Sequence, residues 1–164
     1  MYAAIVLQVY NALTCSSYAS AYMPDAAPLI AVINSDQAVA TTLRDAIVEE
    51  GYRAEKLVWR SHRSPEEVVD FLRRLGPELV VYHVGPPYRE SWQIFVHVRH
   101  TLPDLRFVLM ATTPRMLADV AGDPPAYQVI DKPFDLDQLF ESIERARHAP
   151  PAPAPLASPS LREH

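Results

Sequence analysis

Four short stretches carry the side chains that could do chemistry, and each follows an apolar run. His83 lies within Pro77-Glu78-Leu79-Val80-Val81-Tyr82-His83-Val84-Gly85-Pro86-Pro87, where an imidazole could act as nucleophile, base or ligand. Asn34, Ser35 and Asp36 follow the run Leu29 to Ile33 and offer two neutral oxygens and one carboxylate. Thr112 brings a hydroxyl after Arg106 to Ala111, and Lys132 an ammonium after Tyr127 to Ile130. His97 and His100 share a helix face, but no cysteine or carboxylate completes a ligand set with them, which makes them solvated surface histidines.

The elements that must position these groups read as strands and helices in alternation. Leu79 to Tyr82 is continuously apolar and rich in β-formers, as expected of a strand covered on both faces of a parallel sheet. Leu29 to Ile33 and Arg106 to Ala111 read the same way. Tyr52 to Val58 mixes polar and apolar residues and suits an exposed edge. Between them run helical stripes. Val39, Leu43, Ala46 and Ile47 precede Gly51, expected as a left-handed cap. Ser64-Pro65-Glu66-Glu67 opens a helix with a cap, a first-turn proline and a capping box, followed by Val68, Val69, Leu72 and Leu75 and closed by Gly76. Trp92, Phe95, Val98 and Leu102 mark a third helix. Met116, Leu117 and Val120 suggest a short fourth one, and Asp135 caps a fifth with Leu136, Leu139, Phe140 and Ile143. Five such repeats with a polar second strand predict a flavodoxin-like α/β fold, a (βα)5 three-layer sandwich with parallel strand order 2-1-3-4-5. In that order the first and third strands meet at the switch point, where ligands bind beyond the strand ends.

Bulk properties narrow the function. The 164 residues allow one domain, expected over 28–148, with an N-terminal extension over 1–27 and a tail over 149–164. The extension is expected to be disordered. It has no lysine or arginine and so lacks the positive start of a signal peptide, and Met23 is an alternative start. The tail is rich in proline and alanine and is expected to be extended and mobile, with no aromatic or basic anchor among its prolines. A net charge of −5 gives no case for nucleic acid, and no apolar run is long enough for a bilayer. Cys15 is the only cysteine, which suits a reducing cytoplasm. The four glycines, Gly51, Gly76, Gly85 and Gly122, form no phosphate-cradling loop, which weakens a small flavodoxin-like cofactor-binding enzyme as the alternative.

From about Pro28 to Arg147 the pattern resembles the receiver domain of bacterial two-component response regulators (CheY-like). Ile30-Ala31-Val32-Ile33-Asn34-Ser35-Asp36 lies where that family has a strand followed by an acidic pair. Pro77 to Pro87 matches its central strand and proline-ended loop, Thr112 its hydroxyl position, and Lys132-Pro133-Phe134 its Lys-Pro-Phe signature. The resemblance implies a site where the acidic pair and a third-strand aspartate bind Mg²⁺, and where that aspartate takes a phosphoryl group from a histidine kinase. Here Asn34 and Ser35 replace the pair and His83 replaces the acceptor, while Asp36 stands one residue further on. Mg²⁺ wants oxygen ligands, usually with a carboxylate, and Lys132 adds positive charge. Val129 stands at the family's aromatic switch position, with Tyr127 two residues earlier.

The expected reading is a degenerate receiver with a disused pocket of Asn34, Ser35, Asp36, His83, Thr112 and Lys132. It needs no metal and no cofactor, catalyses nothing, and binds proteins without being phosphorylated. The family's output and dimerisation face, formed by the fourth helix, fifth strand and fifth helix, would include Met116, Leu117, Tyr127, Gln128, Val129, Gln138, Glu141 and Arg145. The implied partner is a signalling protein, one related to a histidine kinase, or a second copy as a homodimer, rather than nucleic acid or membrane. The competing reading is a receiver phosphorylated at Asp36 or His83.

Overall fold

In a computed structural model of the chain, the described residues are 27–60, 63–111, 128–131 and 135–152. The apolar runs become β1 (Leu29–Asn34), β2 (Arg53–Val58), β3 (Leu79–Val84), β4 (Arg106–Ala111) and β5 (Gln128–Asp131). The amphipathic segments become α1 (Gln37–Glu49), α2 (Pro65–Leu75), α3 (Tyr88–Thr101) and α4 (Leu136–His148). The short helix expected around Met116 lies outside the described residues, so α4 is the helix capped by Asp135.

All strand pairs are parallel, and the sheet order is β2-β1-β3-β4-β5, as the alternation predicts. Side chains alternate across a strand, so β1, β3 and β4 each feed two cores. On one face Ile30, Val32, Leu79, Val81, Val108 and Met110 meet Leu43 and Ile47 of α1 and Leu139 and Ile143 of α4. On the other, Ala31, Ile33, Val80, Tyr82, Phe107 and Leu109 meet Val68, Val69 and Leu72 of α2 and Trp92, Phe95 and Val98 of α3. Continuous apolar runs are therefore required, because neither face of these strands sees water.

The caps follow the sequence closely. Asp36 accepts from the Val39 amide at 3.0 Å, Ser64 from Glu67 at 3.3 Å and Asp135 from Gln138 at 2.8 Å. Gly76 closes α2 in the left-handed region at φ 61°, and Gly51 follows α1 at φ 101°. Two details differ from expectation. The Glu67 carboxylate pairs with Arg63 at 3.3 Å, one turn back on the surface. Leu136, expected on the buried stripe of α4, is 44% exposed, because that stripe is Leu139, Ile143 and Ala146.

At the amino ends of the strands, α4 is tied to the sheet by polar groups. The Tyr52 hydroxyl donates to Glu144. Arg147 reaches Glu144 at 2.8 Å and Glu78 at 3.2 Å, with its guanidinium 5.6 Å from the Tyr52 ring centre.

Candidate functional site

The sheet register brings two of the expected site residues side by side. Ile33 of β1 pairs with Tyr82 of β3, so Asn34 and His83 are the next residues on neighbouring strands. Their other neighbours are Val58 on β2 and Met110 on β4. Val32 and Val81, two residues earlier, both face the α1/α4 core, and alternation puts Asn34 and His83 on that same side. This is the carboxyl end of the sheet at its switch point, where a doubly wound fold places ligands. Thr112 and Lys132 lie outside the described residues; in sequence they directly follow Ala111 and Asp131, the last residues of β4 and β5.

Asn34 is only 1% exposed. Its amide oxygen accepts from the Asp36 amide at 2.9 Å, which fixes which end of the side chain is which. Its Nδ2 is buried with no hydrogen-bond partner. What the residue offers the site is therefore a donor. Asp36 is exposed, and its carboxylate is engaged at the start of α1. Ser35 is exposed beside it.

His83 is half-buried, and its ring lies back over Gly85. A Cβ placed on Gly85 would sit 2.6 Å from the imidazole Cε1, so a larger residue here would displace the His83 ring. Behind it, buried Ser91 joins the start of α3 to β3. Its hydroxyl donates to the His83 carbonyl at 3.3 Å, and its own carbonyl accepts from the Tyr82 hydroxyl at 2.8 Å. Burial pushes the Tyr82 hydroxyl well above the usual phenol range, so it stays a neutral donor. Neither anchor was visible in sequence, where Tyr82 belongs to an apolar run and Ser91 to a helix.

The set is poor in free oxygens for Mg²⁺. Asp36 Oδ1 caps α1 and the Asn34 amide oxygen takes the Asp36 amide, which leaves their remaining lone pairs and the Ser35 hydroxyl beside the His83 imidazole. A hard cation needs several free oxygens. Among the described residues no group of three or more histidines, cysteines or carboxylates could hold a metal. His97 faces Glu66 at 3.7 Å across α2 and α3, and His100 is exposed.

On the last helix, Gln138, Glu141 and Arg145 form an exposed stripe, with Arg145 3.8 Å from Glu141. Gln128 and Val129 lie in β5. Met116, Leu117 and Tyr127 are outside the described residues. Among the described residues, no helix is long and apolar enough to cross a membrane.

No family model matches the sequence. Among curated proteins it is similar to the DNA-binding transcriptional regulator NtrC of Azospirillum brasilense, 25% identical over 131 residues, 79% of this chain and 26% of that protein. NtrC of Rhizobium meliloti (strain 1021) is 29% identical over 122 residues, 74% of this chain and 24% of that protein. The chain thus spans about a quarter of the length of these relatives. Among solved structures, a response regulator from Thermotoga maritima superposes with a TM-score of 0.60 at 20% identity, covering 75% of this chain and 99% of that one. A response regulator receiver protein from Sinorhizobium medicae WSM419 gives 0.59 at 17% identity, covering 76% and 97%. The regulator TrrA of Thermotoga maritima, solved in complex with Mg²⁺-BeF, gives 0.60 at 18%, covering 73% and 98%. The fold is that of the CheY-like receiver domains of response regulators.

Proposed function

We propose that this domain is a receiver-like signalling module that binds protein partners without being phosphorylated. The observation that carries the reading is the inverted chemistry at the switch point. Where a phosphorylatable receiver needs acceptor oxygens for a cation, Asn34 presents a buried N–H donor and His83 an imidazole, while Asp36 caps α1 through one oxygen. Acyl-phosphate formation needs a carboxylate nucleophile and a metal to neutralise developing charge, and the third-strand position for that nucleophile holds His83.

Binding then falls to a surface. The exposed Gln138, Glu141 and Arg145, with Gln128 and Val129 on the adjoining strand, support the face of β5 and α4 for a signalling partner or a second copy of the chain. With no reaction of its own, the domain would be regulated by the availability of that partner. The 1–27 stretch falls outside this reading, as an extension ahead of the 28–148 domain.

The test is incubation with acetyl phosphate and Mg²⁺ followed by intact mass measurement. No added phosphoryl mass is expected. An added mass that disappears in His83→Ala or Asp36→Ala would overturn the proposal and establish the non-standard acceptor.

A further inference from the structure

Past α4 the chain does not simply drift away. Ala149 adopts φ −78° and ψ 151°, the polyproline II region, and Pro150 and Pro151 follow. That conformation repeats every three residues, so carbonyls three apart face the same way. Those of Ala149 and Ala152 each meet an arginine of the domain. Arg106 Nε donates to the Ala149 carbonyl at 3.1 Å, and Arg99 Nη2 donates to that of Ala152. The Ala149 amide in turn closes α4 by donating to the Arg145 carbonyl at 3.0 Å.

Arg99 is built for this. It is 1% exposed, the largest fully buried side chain among the described residues. Its Nη1 donates to the carbonyls of Pro103 at 2.9 Å and Leu105 at 2.7 Å, and its guanidinium lies 5.6 Å from the centre of the Phe107 ring. A guanidinium cannot shed its charge, so burial is tolerable only if its protons are met. The Ala152 carbonyl is one of the groups that meets them.

We infer that Arg99 and Arg106 form a binding site for a polyproline II segment, and that Ala149–Ala152 fills it in cis. Ala149–Ala152 is then a docked strap joining the end of α4 to α3 and β4. Anything that displaces it loosens the end of the helix carrying Gln138, Glu141 and Arg145. The inference does not depend on the phosphorylation reading.

Backbone ¹⁵N relaxation on the full chain tests it. Ala149 and Ala152 should show order parameters near ~0.85, as in rigid backbone, and fall below ~0.6 in Arg106→Ala and in Arg99→Met. Arg106→Ala suffices if Arg99→Met fails to fold. Values below ~0.6 in the unaltered chain, or no change in Arg106→Ala, overturn the inference. A peptide Ala-Pro-Pro-Ala-Pro should shift the arginine Nε resonances in the chain carrying Pro150→Gly and Pro151→Gly. In the unaltered chain it should bind about tenfold or more weakly, because the cis segment competes at high effective concentration. Equal shifts in both chains, or none in the variant, also overturn it.

Discussion

Asp36 shows how a carboxylate that reads as site chemistry in sequence also takes an architectural part in the fold. It follows the first strand among polar neighbours, yet its oxygen takes the Val39 amide at the head of α1. Asp36→Ala should therefore cost about 1 kcal/mol, the usual worth of a lost helix cap, read by urea denaturation. Mg²⁺ should leave the denaturation midpoint of both chains unmoved; stabilisation of the unaltered chain alone would make Asp36 a ligand. Asn34 and His83 were legible as candidates because both end apolar strands. That Asn34 turns its donor rather than its acceptor inward was not legible. It depends on the Asp36 amide claiming the amide oxygen, a bond made only once the turn into α1 has formed.

At the level of elements, α4 is held by more than its apolar stripe. Hydrogen bonding by the Tyr52 hydroxyl, and then by Arg147, holds the Glu144 carboxyl below the usual carboxylate range. A carboxyl whose folded pKa is depressed stabilises the fold above its unfolded pKa, and that contribution is lost as pH falls through the folded value. Stability should thus decline as pH drops below about 4.5, the ordinary glutamate value. Glu144→Gln should be less stable than the unaltered chain at pH 7 and should flatten that decline, as followed by thermal denaturation across pH 3 to 7. An unchanged slope would remove Glu144 from the network. Helix starts and stops were readable because Ser64, Asp135 and Gly76 act through bonds to residues within four positions. The ties of Tyr52 and Glu78 to α4 were not, since those partners are 92 and 69 residues apart.

Across the whole molecule, one sheet separates two cores that share no side chain. Ile33 packs against α2 and α3, and Ile143 against the opposite face. Ile33→Val and Ile143→Val should each cost about 1 kcal/mol, and the double variant should show their sum within about 0.5 kcal/mol, measured by chemical denaturation. A larger departure would mean the faces communicate through the sheet. The strap belongs to this scale too. The prolines of the tail looked unanchored because no basic or aromatic residue stands among them. Yet the carbonyls of Ala152 and Ala149 are taken by Arg99 and Arg106 of the domain itself, 53 and 43 residues earlier.

Apolar continuity, capping residues and glycine stops were enough to determine alternation, strand order and the end of the sheet where the candidate site lies, because these signals act locally or through burial that every strand shares. The absence of acidic residues at Asn34, Ser35 and His83 was equally plain in the chain. Only the folded molecule decided what the remaining polar groups do. Hydrogen bonds are directional and exclusive, so the roles of Asn34, Asp36, Tyr82 and Arg99 depended on which distant backbone groups the sheet and helices brought within about 3 Å of them.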